Sequence, residues 1–410
     1  MTTYPAIVVA RNQPSVESEK IAFAHVYPTM PEDLSAYYDA NAARMDRRWL
    51  THTTWRFETN ERAALRAKIF GDLPTLGEVY GPPRYGIKTG DNDAFIIDSN
   101  RREEIVSRDP NSASVIKPYL RGTSAWKWFH ESSEDWILFT NSVENLDRFP
   151  GIVEHLAPFK EALEPKPIDY VETNGKPWKG RKAGSYHWYQ LQDNVAFWQL
   201  FERPKIVFQD LSNDGSFSRD DSGVYPANTC YFIDCGDFEL LALLNSRLVW
   251  FLLRGLTNIA RGGYLRLRTE FVQQLPIPEM DVETRSQLAN KGGSATKAAR
   301  ERYEIQAAVR RRLLDLAPPE RAKLNNRLHD WHDLDFSALR AEIKRAFRVE
   351  IPVKERGEWE AYLAENGSRV KALTAAIAAA EREIDAIVYK LFDLTPEEIA
   401  LLEASLEGQY

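Results

Sequence analysis

Apolar residues change their spacing several times along the chain, and each change predicts a different kind of element. Ala6 to Ala10 is an unbroken β-rich apolar run between Pro5 and Asn12, the pattern of a strand buried on both faces of a parallel sheet. No βαβ unit follows it closely. Its sheet is therefore expected on another polypeptide or in a longer ancestral protein, unless the strand pairs with later ones. Between residues 31 and 80 the apolar spacing becomes three and four. PEDLSAYYDANAARM and ERAALRAKIF read as helices, with Pro31 and Glu32 in a first turn. Gly81-Pro82-Pro83 ends that pattern.

From 84 to 280 short strand-like runs (AFIID, WILFT, KIVFQD and CYFID) alternate with Gly, Asn and Asp turns. One helix, ELLALLNSRLVWFLLRGL, carries an apolar face at Leu240, Leu244, Leu248 and Phe251. Pro276 and Pro278 close the region. Residues 282 to 350 are charged and helical by pattern, with Lys291-Gly-Gly-Ser-Ala295 as a flexible break. A last long helix places Leu373, Ile377, Ile384, Ile387, Val388 and Leu391 in one stripe. Thr395-Pro-Glu-Glu398 then forms a capping box with Pro at the first helical position. This end is expected to be a helical hairpin that packs on something else. The class is α+β. The expected divisions are 1–83, a strand and a helical connector; 84–280, a mixed α/β domain; 281–350, a helical spacer; and 351–410, the hairpin.

Composition sharpens the picture. The chain has 410 residues, 43% of them hydrophobic, which excludes wholesale disorder and allows two or three domains. Its net charge of -7 argues against a uniformly basic nucleic-acid binder. Five basic and eleven acidic residues lie between Arg356 and Tyr410, however, so nearly all of that charge sits in the tail. Binding to a polyanion would rest on local patches rather than long-range steering. Cys230 and Cys235 lie five apart on one strand and face opposite sides, as expected of reduced thiols. No signal peptide, spanning run or lipidation motif occurs, which predicts a soluble cytoplasmic protein without a membrane partner.

Several chemistries lack their residues. There is no Asn/Asp-Pro-Pro-Tyr/Phe tetrapeptide, no glycine-rich cofactor loop after a strand, no P-loop and no nuclease-type acidic pair. His329-Asp-Trp-His332-Asp333 places two histidines on one helix face without further ligands, and reads as a solvated or capping cluster. Neither a catalytic residue nor a metal ligand is assigned, and no cofactor is expected in this chain.

What the sequence offers is four basic stretches interleaved with aromatics and glycines. Asn174 to Gln192 carries Lys176, Lys179, Arg181 and Lys182 with Trp178, Tyr186, Trp188 and Tyr189, and no acid between its ends. Such cations neutralise phosphates while the rings pack or stack. Arg254 to Arg268 carries Arg254, Arg261, Arg266 and Arg268 around Gly262-Gly263, again without an acid. Arginine reads guanine bidentately, although the same residues would also serve to cap helix carbonyls. Tyr85 to Asp98 holds Lys88 between Gly86 and Gly90. Ile116 to Trp128 holds Lys117, Arg121 and Lys127. By themselves the last two stretches read as a turn and as a basic edge beside core aromatics. It is a resemblance to a known domain that makes these eleven, Lys88, Lys117, Arg121, Lys127, Lys176, Lys179, Arg181, Lys182, Arg261, Arg266 and Arg268, the candidate DNA-binding residues.

The order of these stretches resembles a known domain. Gly86-Ile-Lys-Thr-Gly-Asp-Asn-Asp-Ala-Phe95 is similar to the opening of the TaqI-like C-terminal specificity domain, and Ile116-Lys-Pro-Tyr-Leu-Arg-Gly122 to its next block. Trp188-Tyr-Gln-Leu-Gln192, Pro204-Lys-Ile206, Leu243-Leu-Asn-Ser246, Gly262-Gly-Tyr264 and Leu275-Pro-Ile-Pro278 continue the series. TTYPAIVVARN resembles the closing strand of the methyltransferase core that precedes such domains, and IVYKLFDLTPEEIALL their usual C-terminus. The resemblance implies the target-recognition part of an adenine-specific DNA methyltransferase of the type IIG or BREX phage-defence kind. It implies double-stranded DNA as one partner and a catalytic core on another polypeptide as a second. S-adenosylmethionine would sit on that core, and the target adenine would be flipped into it. Two alternatives stand beside this. The chain is a piece of a complete site-specific adenine methyltransferase, or an orphan fragment that binds a methyltransferase without DNA activity of its own.

Overall fold

A computed structural model describes residues 20–26, 30–50, 55–131, 134–171, 177–193, 195–257 and 263–407. The run Ala6 to Ala10 lies outside the described residues, as do Lys176 and Arg261. The chain is of the α+β class, with its strands before residue 267 and long helices after residue 281.

Twelve short strands are described: β1 Lys20–Phe23, β2 Ala43–Asp46, β3 Arg84–Tyr85, β4 Ile96–Asp98, β5 Ile116–Leu120, β6 Asp135–Leu138, β7 Lys205–Gln209, β8 Leu211–Ser212, β9 Ser218–Asp220, β10 Tyr225–Pro226, β11 Cys230–Ile233 and β12 Leu265–Arg266. They form a four-stranded antiparallel sheet in the order β3-β11-β7-β9 and a mixed sheet in the order β10-β5-β6-β4. Two-stranded ribbons, β1-β2 and β12-β8, complete the set. The β7 strand is apolar at successive positions because it divides two cores. Ile206 and Phe208 point into one, with Ile233 of β11. Val207 points into the other, with Cys230 and Phe232 of β11. Cys230 and Cys235 are free thiols, and burial pushes both up to about 12.

The helices that matter here are α1 Leu34–Asn41, α2 Asn60–Phe70, α3 Phe238–Leu244, α4 Arg247–Leu256, α5 Val282–Asp315, α6 Phe336–Phe347, α7 Arg356–Leu391 and α8 Pro396–Glu407. The first starts later than Pro31 and Glu32, because Asp33 is its N-cap and accepts from the Ala36 amide. It ends before Ala-Arg-Met, which forms β2 against β1. The apolar run 239–256 is two helices rather than one. Ser246 caps the second at the Val249 amide, and the Asn245 side chain donates to the Phe217 carbonyl, so both polar side chains satisfy backbone groups where the helix breaks.

Lys291 to Ala295 is no break. It lies inside α5. A Cβ on Gly292 would stand 2.7 Å from the Phe238 carbonyl oxygen, so this glycine permits α3 to approach α5 closely. α5 and α7 run antiparallel, with Lys291 paired to Glu383 and Glu301 to Arg369 at 2.8 Å. Their far ends enclose a third core with α6, around Trp331, Ile343, Phe347 and Leu363. The capping box at Thr395 and Glu398 is formed. The C-terminal hairpin packs on the chain itself. Arg254 donates to the Ser405 and Leu406 carbonyls at 3.1 and 3.0 Å, and Lys68 pairs with Glu398 at 2.6 Å.

Candidate nucleic-acid interface

The glycine turn at 86–90 is built by close approach. The Gly86 amide donates to the Cys230 carbonyl and the Ile87 amide to the Pro226 carbonyl. A Cβ on Gly86 would collide with the Pro226 and Ala227 carbonyls. Gly90 has φ +85°, and a Cβ there would meet the Arg181 side chain at 2.8 Å. Asp91 then caps the turn Asn92–Phe95 through the Asp93 and Ala94 amides. That cap is why AFIID becomes strand only from Ile96. Lys88 stands exposed at the tip, with no ion pair among the described residues.

Arg181 is the pivot of the basic loop, and it faces inward. It is 6% exposed. Its Nε donates to the Leu163 carbonyl at 2.8 Å, one terminal nitrogen to Gln190 and Thr89, and the other to Trp188 and His187. Burial lowers its pKa, and its ring neighbours are Phe95 and Tyr186. The guanidinium thus ties the WYQLQ block to the glycine turn and has no face left for a phosphate. The signal for this was the rarity of acids nearby, since a buried cation without a carboxylate must spend its donors on carbonyls. Lys179 and Lys182 stay at the surface, paired with Glu161 at 2.9 Å and Asp193 at 3.6 Å.

The cations of the 116–128 stretch are also paired. Lys117 on β5 meets Glu202 at 2.9 Å, and that bond holds the Glu202 carboxyl below its ordinary range. Arg121 pairs with Asp135. Lys127 reaches Glu381 of α7 at 2.8 Å, beside the indole of Trp128 that donates to the same carboxylate. Lys127 therefore bridges the strand region to the long helix. Arg266 on β12 and Arg268 just beyond it both lean on Asp210, at 3.3 and 3.6 Å. Tyr264 and Leu211 are exposed on the same ribbon.

Sequence reasoning missed two acids. One is Asp210, which closes the KIVFQD run. The other is Asp220, which is fully buried and pairs with the fully buried Lys205 of the Pro204-Lys-Ile206 block, with His130 at 3.5 Å. Burial pushes Asp220 upward, but hydrogen bonding from His130 and the Lys205 charge outweigh it, leaving the carboxyl well below its usual range. This cluster braces β7 to β9. Among the described residues no three His, Cys, Asp or Glu side chains converge as metal ligands. His329 contacts Asp330, and His332 contacts Gln306. No helix among the described residues is long and apolar enough to cross a membrane.

The ribbon, the glycine turn and the arginine-braced loop lie in the strand-bearing part of the chain, and comparison classes part of it. Residues 164–277 match the TaqI-like C-terminal specificity domain, so that part of the chain carries a specificity domain of this kind. The match holds the WYQLQ and PKI blocks and the β8-β12 ribbon, and leaves the blocks at 86–95 and 116–122 before it. Residues 281–388 match a domain family of unknown function, DUF8810.

The chain is similar to several Type II methyltransferases. M.XhoI of Xanthomonas vasicola is 24% identical over 293 residues, covering 67% of this chain and 50% of that protein. M.PaeR7I of Pseudomonas aeruginosa is 22% identical over 234 residues, covering 55% and 37%. M.BanIII of Aneurinibacillus aneurinilyticus is 28% identical over 216 residues, covering 48% and 34%. The chain thus spans at most about half the length of these relatives. A solved structure of the Type IIL restriction-modification enzyme MmeI in complex with DNA matches 82% of this chain and 36% of its own, with 12% identity and a TM-score of 0.45.

Proposed function

We propose that this chain selects a short double-stranded DNA site for an adenine-N6 methyltransferase whose catalytic core, with its S-adenosylmethionine, lies on another polypeptide. The observation that carries the reading is the specificity-domain match over 164–277. The β8-β12 ribbon supports it by presenting Tyr264, Arg266 and Arg268 at the surface. Ion pairing alters the expected division of labour. Lys117, Arg121, Lys179 and Lys182 each hold one carboxylate, so a phosphate must compete with that partner. For exposed pairs this costs little, since such pairs are worth about 0–1 kcal/mol. Lys88 carries no such competition among the described residues. The target adenine would leave the stack for the partner's pocket, since the chemistry cannot reach a stacked base. A type IIG or BREX defence setting is the biological context this reading favours.

The test mixes the full chain, labelled S-adenosylmethionine and mixed-sequence DNA, with and without the product of the neighbouring gene as the proposed methyltransferase core. Label transferred at one motif by the mixture alone is the expected result. Transfer by the chain alone would make it a complete enzyme with a cofactor site of its own. No transfer and no DNA affinity at low salt, together with tight binding to the methyltransferase, would make it an interaction fragment.

A further inference from the structure

The sequence Leu265-Arg-Leu-Arg268 alternates. Leu265 and Leu267 are buried at 1% and 0% exposure, and the two arginines point outward from the same edge. Among the candidate cations with described partners, only here do two share one carboxylate. Asp210 accepts from a terminal nitrogen of Arg266 at 3.3 Å through Oδ2, while Arg268 Nε lies 3.6 Å from Oδ1. That second oxygen is buried and accepts no hydrogen bond among the described residues. Asp210 is itself fixed on both sides of its backbone. Its amide donates to the Thr229 carbonyl at 2.9 Å, and its carbonyl accepts from the Leu267 amide at 2.7 Å. The Arg266 amide donates to Thr257 Oγ1 at 3.1 Å. The carboxylate is thus a rigid post between two half-exposed guanidinium groups.

The charge pattern distinguishes what such a fork can bind. A phosphate approaching either arginine would meet the Asp210 carboxylate, with Glu270 also close enough to act on neighbouring Tyr231. A guanine edge is neutral and offers two acceptors, O6 and N7, which match the donors a guanidinium keeps free when only one nitrogen faces an acid. We propose that Asp210 is the positioning residue of a guanine-reading fork formed by Arg266 and Arg268. The inference rests on the DNA-reading function above and adds to it the base that is read and the residue that aims the readers.

The experiment selects short randomised duplexes with the full chain and with the variants Asp210→Ala, Asp210→Asn, Asp210→Glu, Arg266→Ala and Arg268→Ala, after their thermal unfolding is compared with wild type. Wild type is expected to enrich a motif containing guanine. The arginine variants lose about tenfold or more of the preference at one base pair. Asp210→Ala and Asp210→Asn lose the same preference at the same base pair with unchanged dependence on salt, and Asp210→Glu recovers part of it. An enriched motif that Asp210→Asn leaves intact overturns the inference alone. So do arginine variants that lower the salt slope by about one and keep the base profile, because they would be phosphate contacts. A wild-type chain that enriches no motif overturns the DNA-reading function itself, and the fork with it.

Discussion

Arg181 shows how a residue's neighbourhood redirects its chemistry. Its five carbonyl partners belong to three separate segments. Arg181→Ala takes the side-chain donor from the Leu163, Trp188 and Gln190 carbonyls, while the Thr89 and His187 carbonyls keep the Gln192 and Gln190 amides. It is expected to destabilise the fold by about 3 kcal/mol, read from urea unfolding. The salt slope of any DNA binding should be unchanged, whereas a phosphate contact would lower it by about one. Gly90→Ala, at φ +85°, should cost about 1–2 kcal/mol from backbone strain alone. Gly86→Ala should cost more, since the clash is with fixed backbone carbonyls rather than a movable side chain. Both are read in the same unfolding experiment. An Ala at 86 that costs less than one at 90 would mean that β3 shifts easily.

Individual elements were legible where apolar spacing was plain, as in α2, α7, α8 and the KIVFQ and CYFI strands, and side-chain caps at Thr59 and Thr395 mark the starts of α2 and α8. They were illegible where distant backbone decided. Asn245 and Ser246 continue the apolar period of the run 239–256, and only the Phe217 carbonyl shows why a break sits there. Gly292 reads as a hinge until α3 is seen lying against it. Gly292→Ala raises intrinsic helix propensity by about 1 kcal/mol, yet it is expected to lower the unfolding temperature, because the added methyl meets the Phe238 carbonyl at 2.7 Å. A stabilised variant would show that the α3–α5 spacing is not set by this glycine. The candidate site follows the same rule. Its cations are plain in the sequence, but their carboxylates lie far along the chain, from Asp210 across to Arg266 and from Lys127 to Glu381. Which cations are committed and which are free could not be read from composition.

At the scale of the whole molecule the long helix α7 is bolted to the N-terminus of α4 through a buried acid. Asp385 accepts from the Arg247 amide at 2.8 Å, near Lys127, Glu403 and Tyr389. Burial pushes its carboxyl up to about 6 from an unfolded value of 3.8. A raised folded pKa contributes stability in full below pH 3.8, and that contribution is lost as pH rises through about 6. Asp385→Asn carries no charge at any pH and keeps an acceptor for the Arg247 amide. It is expected to be more stable than wild type at pH 8, by roughly 2 kcal/mol, with the gain gone near pH 4. Urea midpoints at the two pH values decide this. An equal effect at both would place the cost of Asp385 in packing rather than charge.

The division of the β3-β11-β7-β9 sheet between two cores also orders events during synthesis. The core that takes Val207, Cys230 and Phe232 is complete once residue 232 has been made. The core that takes Ile206, Phe208 and Ile233 also needs Ile384, Val388 and Leu402. A growing chain can therefore seal one side of the sheet early, while the other core, begun by α3 and α4, stays incomplete through some 170 further residues, or roughly ten to thirty seconds of translation. In that interval the apolar side chains that α7 and α8 will cover stay open to the ribosome surface and to chaperones, and early termination before α8 would leave that core unfinished for good.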